Sequence, residues 1–188
     1  EAAVDFADES MELVSYMAIN ASSDLAKERG SYSSYEGSLW SQGILPLDSI
    51  EILEKQRGNQ YIEVDKTTRL DWEALREKVK TQGMRNSNTM AIAPTATIAN
   101  ITGLTQSIEP TYSNLFVKSN LSGEFTVINM HLVDALKEID MWDEVMVYDL
   151  KNLNGSLESI ARVPEDIKKL FATSFEVEPK WLIEAASR

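Results

Sequence analysis

Cysteine is absent from this chain of 188 residues, and histidine occurs once, at His131. The first absence excludes disulfide bonds, zinc–thiolate sites and a cysteine nucleophile on this chain. The second leaves a Ser-His-Asp triad or a multi-histidine metal site little to work with. Basic residues are also short: 18 Lys and Arg stand against 30 Asp and Glu, a formal charge of −12. A phosphate backbone needs basic patches, so this balance argues against nucleic acid as a partner. No apolar run approaches the roughly 20 residues that span a bilayer, and the opening residues do not read as a signal peptide, so no membrane partner is expected. What is present is ordinary for a globular chain, with 43% hydrophobic and 26% charged residues. That length and composition suit one domain with a sizeable core.

Helical periodicity dominates the chain. Val4, Phe6, Met11, Leu13, Val14, Met17, Ala18, Ala21, Leu25 and Ala26 form a broad apolar stripe on an opening helix that Gly30 stops. That stripe needs a surface to cover it. Short helices are expected over residues 46–55, over 72–80 behind an Asp71 cap, over 131–139 behind Asn129, over 143–150 and over 164–171. Leu115 to Lys118 and Glu124 to Ile128 read as a hairpin, and Thr89 to Ala93 as a further short strand. Nothing resembling a cap precedes Ala2, and the helix begun at Pro179 reaches Arg188 without a glycine cap, so both ends read as continuing into a longer chain.

Charge is missing locally as well. Across the 38 residues from Asn86 to Gly123 the only side chains charged at pH 7 are Glu109 and Lys118, whereas 16 positions are Ser, Thr or Asn. Neutral polar groups are buried cheaply when hydrogen-bonded, so the stretch is expected inside the protein or facing a cavity. At its centre an apolar run enters Pro94, and Thr95 is placed to cap a helix containing Ile98 and Ile101. Free N–H groups, the helix dipole, threonine hydroxyls and the small Ala96 suit an anion there. An ordinary capped helix start fits the same pattern.

Outside that centre the expectations are plain. Glu109 reads as a turn carboxylate, Arg85 as a partner in a structural ion pair, and Tyr35, Trp40 and Tyr112 as packing aromatics. His131 reads as a surface residue, and residues 142–150 as an amphipathic stretch facing a core.

Several motifs together are more specific. Gly83-Met84-Arg85-Asn86-Ser87, then Ala91-Ile92-Ala93-Pro94-Thr95-Ala96-Thr97-Ile98, then Gln106-Ser107-Ile108-Glu109-Pro110 and Leu121-Ser122-Gly123-Glu124-Phe125 follow in order. Leu39-Trp40-Ser41-Gln42-Gly43 and Asp71-Trp72-Glu73-Ala74-Leu75-Arg76 precede them; Trp142-Asp143-Glu144-Val145-Met146 and Phe175-Glu176-Val177-Glu178-Pro179-Lys180-Trp181-Leu182 come after. Read along the whole chain, this resembles the large, catalytic subunit of class I ribonucleotide reductase.

The resemblance implies a helix-rich α/β fold forming part of a ten-stranded α/β barrel, with residues 1–188 a single portion of it truncated at both ends. It implies thiyl-radical reduction of ribonucleoside diphosphates in deoxyribonucleotide biosynthesis, in the cytoplasm. The family's diphosphate-holding loop falls on Pro94, Thr95, Ala96, Thr97 and Ile98, the residues already read as an anion site; some members carry glutamate where Ala96 stands. The radical cysteine, the reducing pair and the effector-binding parts would precede Glu1, and the radical-pathway tyrosines would follow Arg188. No catalytic residue, metal ligand or cofactor is therefore expected on this chain. The implied partners are the substrate, the remainder of the large subunit and a metal-containing small subunit that supplies the radical. A non-catalytic helical interaction domain or a phosphate-binding module of the same ancestry is the alternative.

Overall fold

A computed structural model of the chain describes residues 2–106 and 109–187, with Tyr61 and Asn120 described by their backbone alone. Its residues cluster into two compact units, one running to Ala93 and including the chain from Ile183, the other Pro94–Leu182.

The first unit is built on helix α1 (Ala2–Arg29), α2 (Ser49–Arg57) and α3 (Trp72–Gln82). The opening helix ends where Gly30, at φ 78°, lets its N–H reach back to Ala26 O at 2.8 Å. Asp71 starts α3 by accepting the Ala74 N–H at 3.0 Å, and Gly83 ends it at φ 84°. Between them Ile19, Tyr35, Leu45, Trp72, Leu75, Val79 and Met84 form the core. Tyr16 meets Trp72 edge-on at 5.4 Å, and the buried Tyr35 hydroxyl donates to Val79 O at 2.8 Å.

Two carboxylates fasten the loops of this unit. Glu12 Oε1 accepts from the N–H groups of Arg69 (2.8 Å) and Leu70 (3.1 Å) and from Trp72 Nε1 (2.9 Å). Burial pushes the Glu12 carboxyl up, but these donors and the Arg69 guanidinium outweigh it and hold it below the usual glutamate range. Asp48 receives Arg76 in a bidentate pair at 2.6 and 3.0 Å and accepts the Leu45 N–H at 2.6 Å. The Arg76 hydrogen bond is the main reason the Asp48 carboxyl lies below its ordinary value.

The second unit comprises α4 (Ala96–Thr102), β1 (Leu115–Asn120), β2 (Gly123–Ile128), α5 (Met130–Glu138), α6 (Glu144–Asn152) and α7 (Glu165–Leu170). The last helix, α8, spans Pro179–Ser187. The strands are antiparallel, with Leu115 opposite Ile128 and Asn120 opposite Gly123. Asn129 caps α5 by accepting from His131 and Leu132 N–H at 3.2 and 3.4 Å. Asp143 caps α6 through the Met146 N–H at 2.7 Å, and the Arg162 hydrogen bonds hold its carboxyl well below the aspartate range. Leu132, Leu136, Met146, Leu150, Leu157, Ile160 and Val163 make the core.

Asn114 ties this unit together. Fully buried, it donates Nδ2 to Gly155 O (3.0 Å) and Phe171 O (2.8 Å), and it accepts from Asn129 Nδ2 at 3.0 Å. Beside it Asn154 and Gly155 turn the chain at φ 52° and 77°, and the Gly155 N–H donates to Leu150 O at 2.7 Å. A Cβ at Gly155 would lie 2.6 Å from Leu115 N and 2.7 Å from Asn114 N, so glycine is required.

Two expectations are corrected here. Residues 89–93 form no strand, because none of the described residues offers them a ladder partner. The charge-poor stretch lies largely at the surface: of its described side chains only Ala99, Ser113 and Asn114 are buried. Its freedom from charge therefore does not reflect burial within these units. Helix α1 buries Val4, Ile19, Ser22, Ser23 and Ala26, whereas Phe6, Leu13, Val14 and Met17 of the apolar stripe are exposed. One of the two serines on that buried face is met by residues 85 and 86: Ser22 Oγ donates to Asn86 Oδ1 (3.1 Å), and Ser22 O accepts the Arg85 N–H (3.0 Å).

Candidate functional site

The predicted anion-binding residues lie together where the second unit begins. Pro94 leads into Thr95, which occupies the N-cap position of α4 at φ −96° and ψ 30°. Its carbonyl accepts the Ala99 N–H at 2.8 Å, closing the first turn, but its hydroxyl makes no capping bond. The helix start is therefore as expected, and the cap chemistry differs. Ala96, Thr97 and Ile98 are exposed, and their N–H groups precede the first intrahelical bond. Gly103, in the left-handed region at φ 71°, ends the helix. No acidic side chain stands in the first turn to compete with an anion.

The surroundings hold one contact that sequence inspection missed. Lys118 Nζ on β1 donates to Asn100 Oδ1 on α4 at 2.8 Å. Eighteen residues separate them, and neither spacing nor composition signals the pairing.

The remaining candidates are dispersed. Glu109 is exposed, and Ser107 and Ile108 of its motif lie outside the described residues. Arg85 is exposed and forms no ion pair among the described residues, which corrects the pairing expected of it. Trp40 packs against the first core and donates Nε1 to Ser87 O at 2.9 Å. Tyr112 lies against Phe116, ring centroids 4.7 Å apart, and is half exposed. His131 is exposed on α5. Among the described residues no helix is long and apolar enough to cross a membrane.

The family model for the ribonucleotide reductase barrel domain matches residues 1–188. The chain is 58% identical, over 186 residues, to the ribonucleoside-diphosphate reductase subunit alpha of Chlamydia muridarum, covering 99% of this chain and 18% of that protein. It is 38% identical over 176 residues to the large subunits of Plasmodium falciparum and Danio rerio, covering 94% of this chain and 20% and 21% of theirs. The chain thus spans about a fifth of the length of the curated relatives it matches. With a family match along its whole length and 58% identity to a large subunit over 186 residues, the chain belongs to the barrel-domain family of ribonucleotide reductase large subunits.

Proposed function

We propose that this chain is the stretch of a ribonucleoside-diphosphate reductase large subunit that holds the substrate diphosphate. In this reading Pro94, Thr95, Ala96, Thr97 and Ile98 form the cradle, and residues 1–188 make one portion of the ten-stranded α/β barrel. The observation that carries it is the exposed start of α4, where N–H groups of Ala96 through Ile98 and the Thr97 side chain share an uncharged surface. Pro94 fixes the approach, and Ala96 brings no bulk against the phosphate. Neutral donors fit a ligand that must leave after turnover, whereas clustered Lys or Arg would retain it.

Thiyl-radical chemistry in the complete cytoplasmic enzyme rests on cysteines outside these 188 residues, which contain none. A metal-containing small subunit starts the radical. The isolated chain, even with that subunit and a reductant, is expected to turn over no ribonucleoside diphosphate.

The test is Thr97→Ala in the complete enzyme. A hydrogen bond to a charged oxygen is worth roughly 1.5–3 kcal/mol, so kcat/KM should fall about 10- to 150-fold. Unchanged kcat/KM for every ribonucleoside diphosphate would remove the loop from the site.

A further inference from the structure

Lys118 is the sole cation between Asn86 and Gly123, and its ammonium is directed at Asn100 of α4, 2.8 Å away. Asn100 lies about one helical turn beyond Thr97. On the other side, Lys118 is anchored within a paired strand: its Cα stands opposite Phe125 in the β1–β2 register. The helix itself is short, seven residues, and Ala99 is its one buried side chain. Little burial therefore fixes its position, and a side-chain tether to a paired strand matters correspondingly more.

From this contact we infer that Lys118 is a positioning residue for the diphosphate loop, acting through Asn100 to hold α4 on the hairpin. The inference rests on the reading of Pro94 to Ile98 as the diphosphate cradle. In the free protein the tether limits the poses of α4, so less ordering is left to the moment of binding. Its effect should appear in substrate affinity and not in the chemical step. Arginine at 118 retains the charge and the donors, whereas methionine retains only the length and the apolar stem.

The experiment uses the full-length large subunit with its small subunit and reductant, and measures kcat and KM for a ribonucleoside diphosphate. Lys118→Met and Asn100→Leu should each raise KM about three- to tenfold, with kcat within twofold of the parent. The double variant should be no worse than either single one, because both remove the same contact. Lys118→Arg should restore KM. Thr97→Ala is measured in parallel: if it leaves KM and kcat unchanged, the cradle reading falls and the tether with it. If Thr97→Ala acts but KM is unchanged in Lys118→Met and in Asn100→Leu, the tether alone is overturned. Additive losses, or losses confined to kcat, overturn it equally.

Discussion

Glu12 shows how much a single carboxylate oxygen can organise when three donors converge on it. Truncation to alanine strands two backbone N–H groups and the Trp72 indole N–H in a half-buried loop. We expect Glu12→Ala to cost about 2–3 kcal/mol, read as a lowered urea midpoint with an unchanged slope. The sign with pH follows from the lowered carboxyl. Its contribution is complete above the ordinary glutamate value of about 4.3 and is lost as pH falls through the lower folded value. The parent should therefore lose stability over that acid range, and the Glu12→Ala chain should lose less. Asn114 plays the matching part in the second unit. Asn114→Ala leaves Gly155 O, Phe171 O and the Asn129 amide without their shared partner, and about 2–3 kcal/mol should go with it in the same measurement.

At the scale of elements, local chemistry predicts well wherever an end is fixed by a few neighbouring residues. The Asp71 and Asn129 caps, the glycine stop at Gly30 and the hairpin turn before Gly123 all act within about four positions, whereas Asp143, read as the first helical residue, is the cap of α6. Replacing Asp71 by alanine should cost about 1 kcal/mol and increase amide exchange in the first turn of α3. Where an element depends on something distant, the reading fails for a physical reason. A strand at 89–93 requires a partner ladder, and its short apolar run cannot say whether one is at hand. Lys118 apart, the surface around α4 is written in the same residue types as a polar interior, so composition does not separate the two. Pro94 to Ile98 are legible as a helix start, but the lack of a capping bond at that start and the Lys118–Asn100 hydrogen bond are not. Both depend on how the chain closes in three dimensions.

For the whole molecule, charge and exposed apolar surface act against each other. The formal charge of −12 keeps copies of the chain apart, while Phe6, Leu13, Val14 and Met17 present apolar surface on α1. Repulsion vanishes near the isoelectric point of about 4.6. Light scattering by the isolated 188-residue chain should rise steeply as pH approaches that value, and Val14→Glu with Met17→Lys, which leaves the formal charge at pH 7 unchanged, should reduce it. Scattering unaffected by that pair would exonerate the helix face.

The turn at Asn154 and Gly155 also sets how this protein ages. In flexible chains an asparagine followed by glycine deamidates readily, since the glycine nitrogen swings onto the side-chain amide, closes a succinimide and expels ammonia. Here that nitrogen's hydrogen is held by Leu150 O, and Ser113 Oγ holds the Asn154 carbonyl at 2.6 Å. The attacking atom is therefore locked away from its target for as long as the turn stays closed. Incubated native, the chain should keep Asn154 intact by peptide mass spectrometry; in denaturant the same site should gain a one-dalton label. Asn154 thus keeps a record of how long the protein has been unfolded.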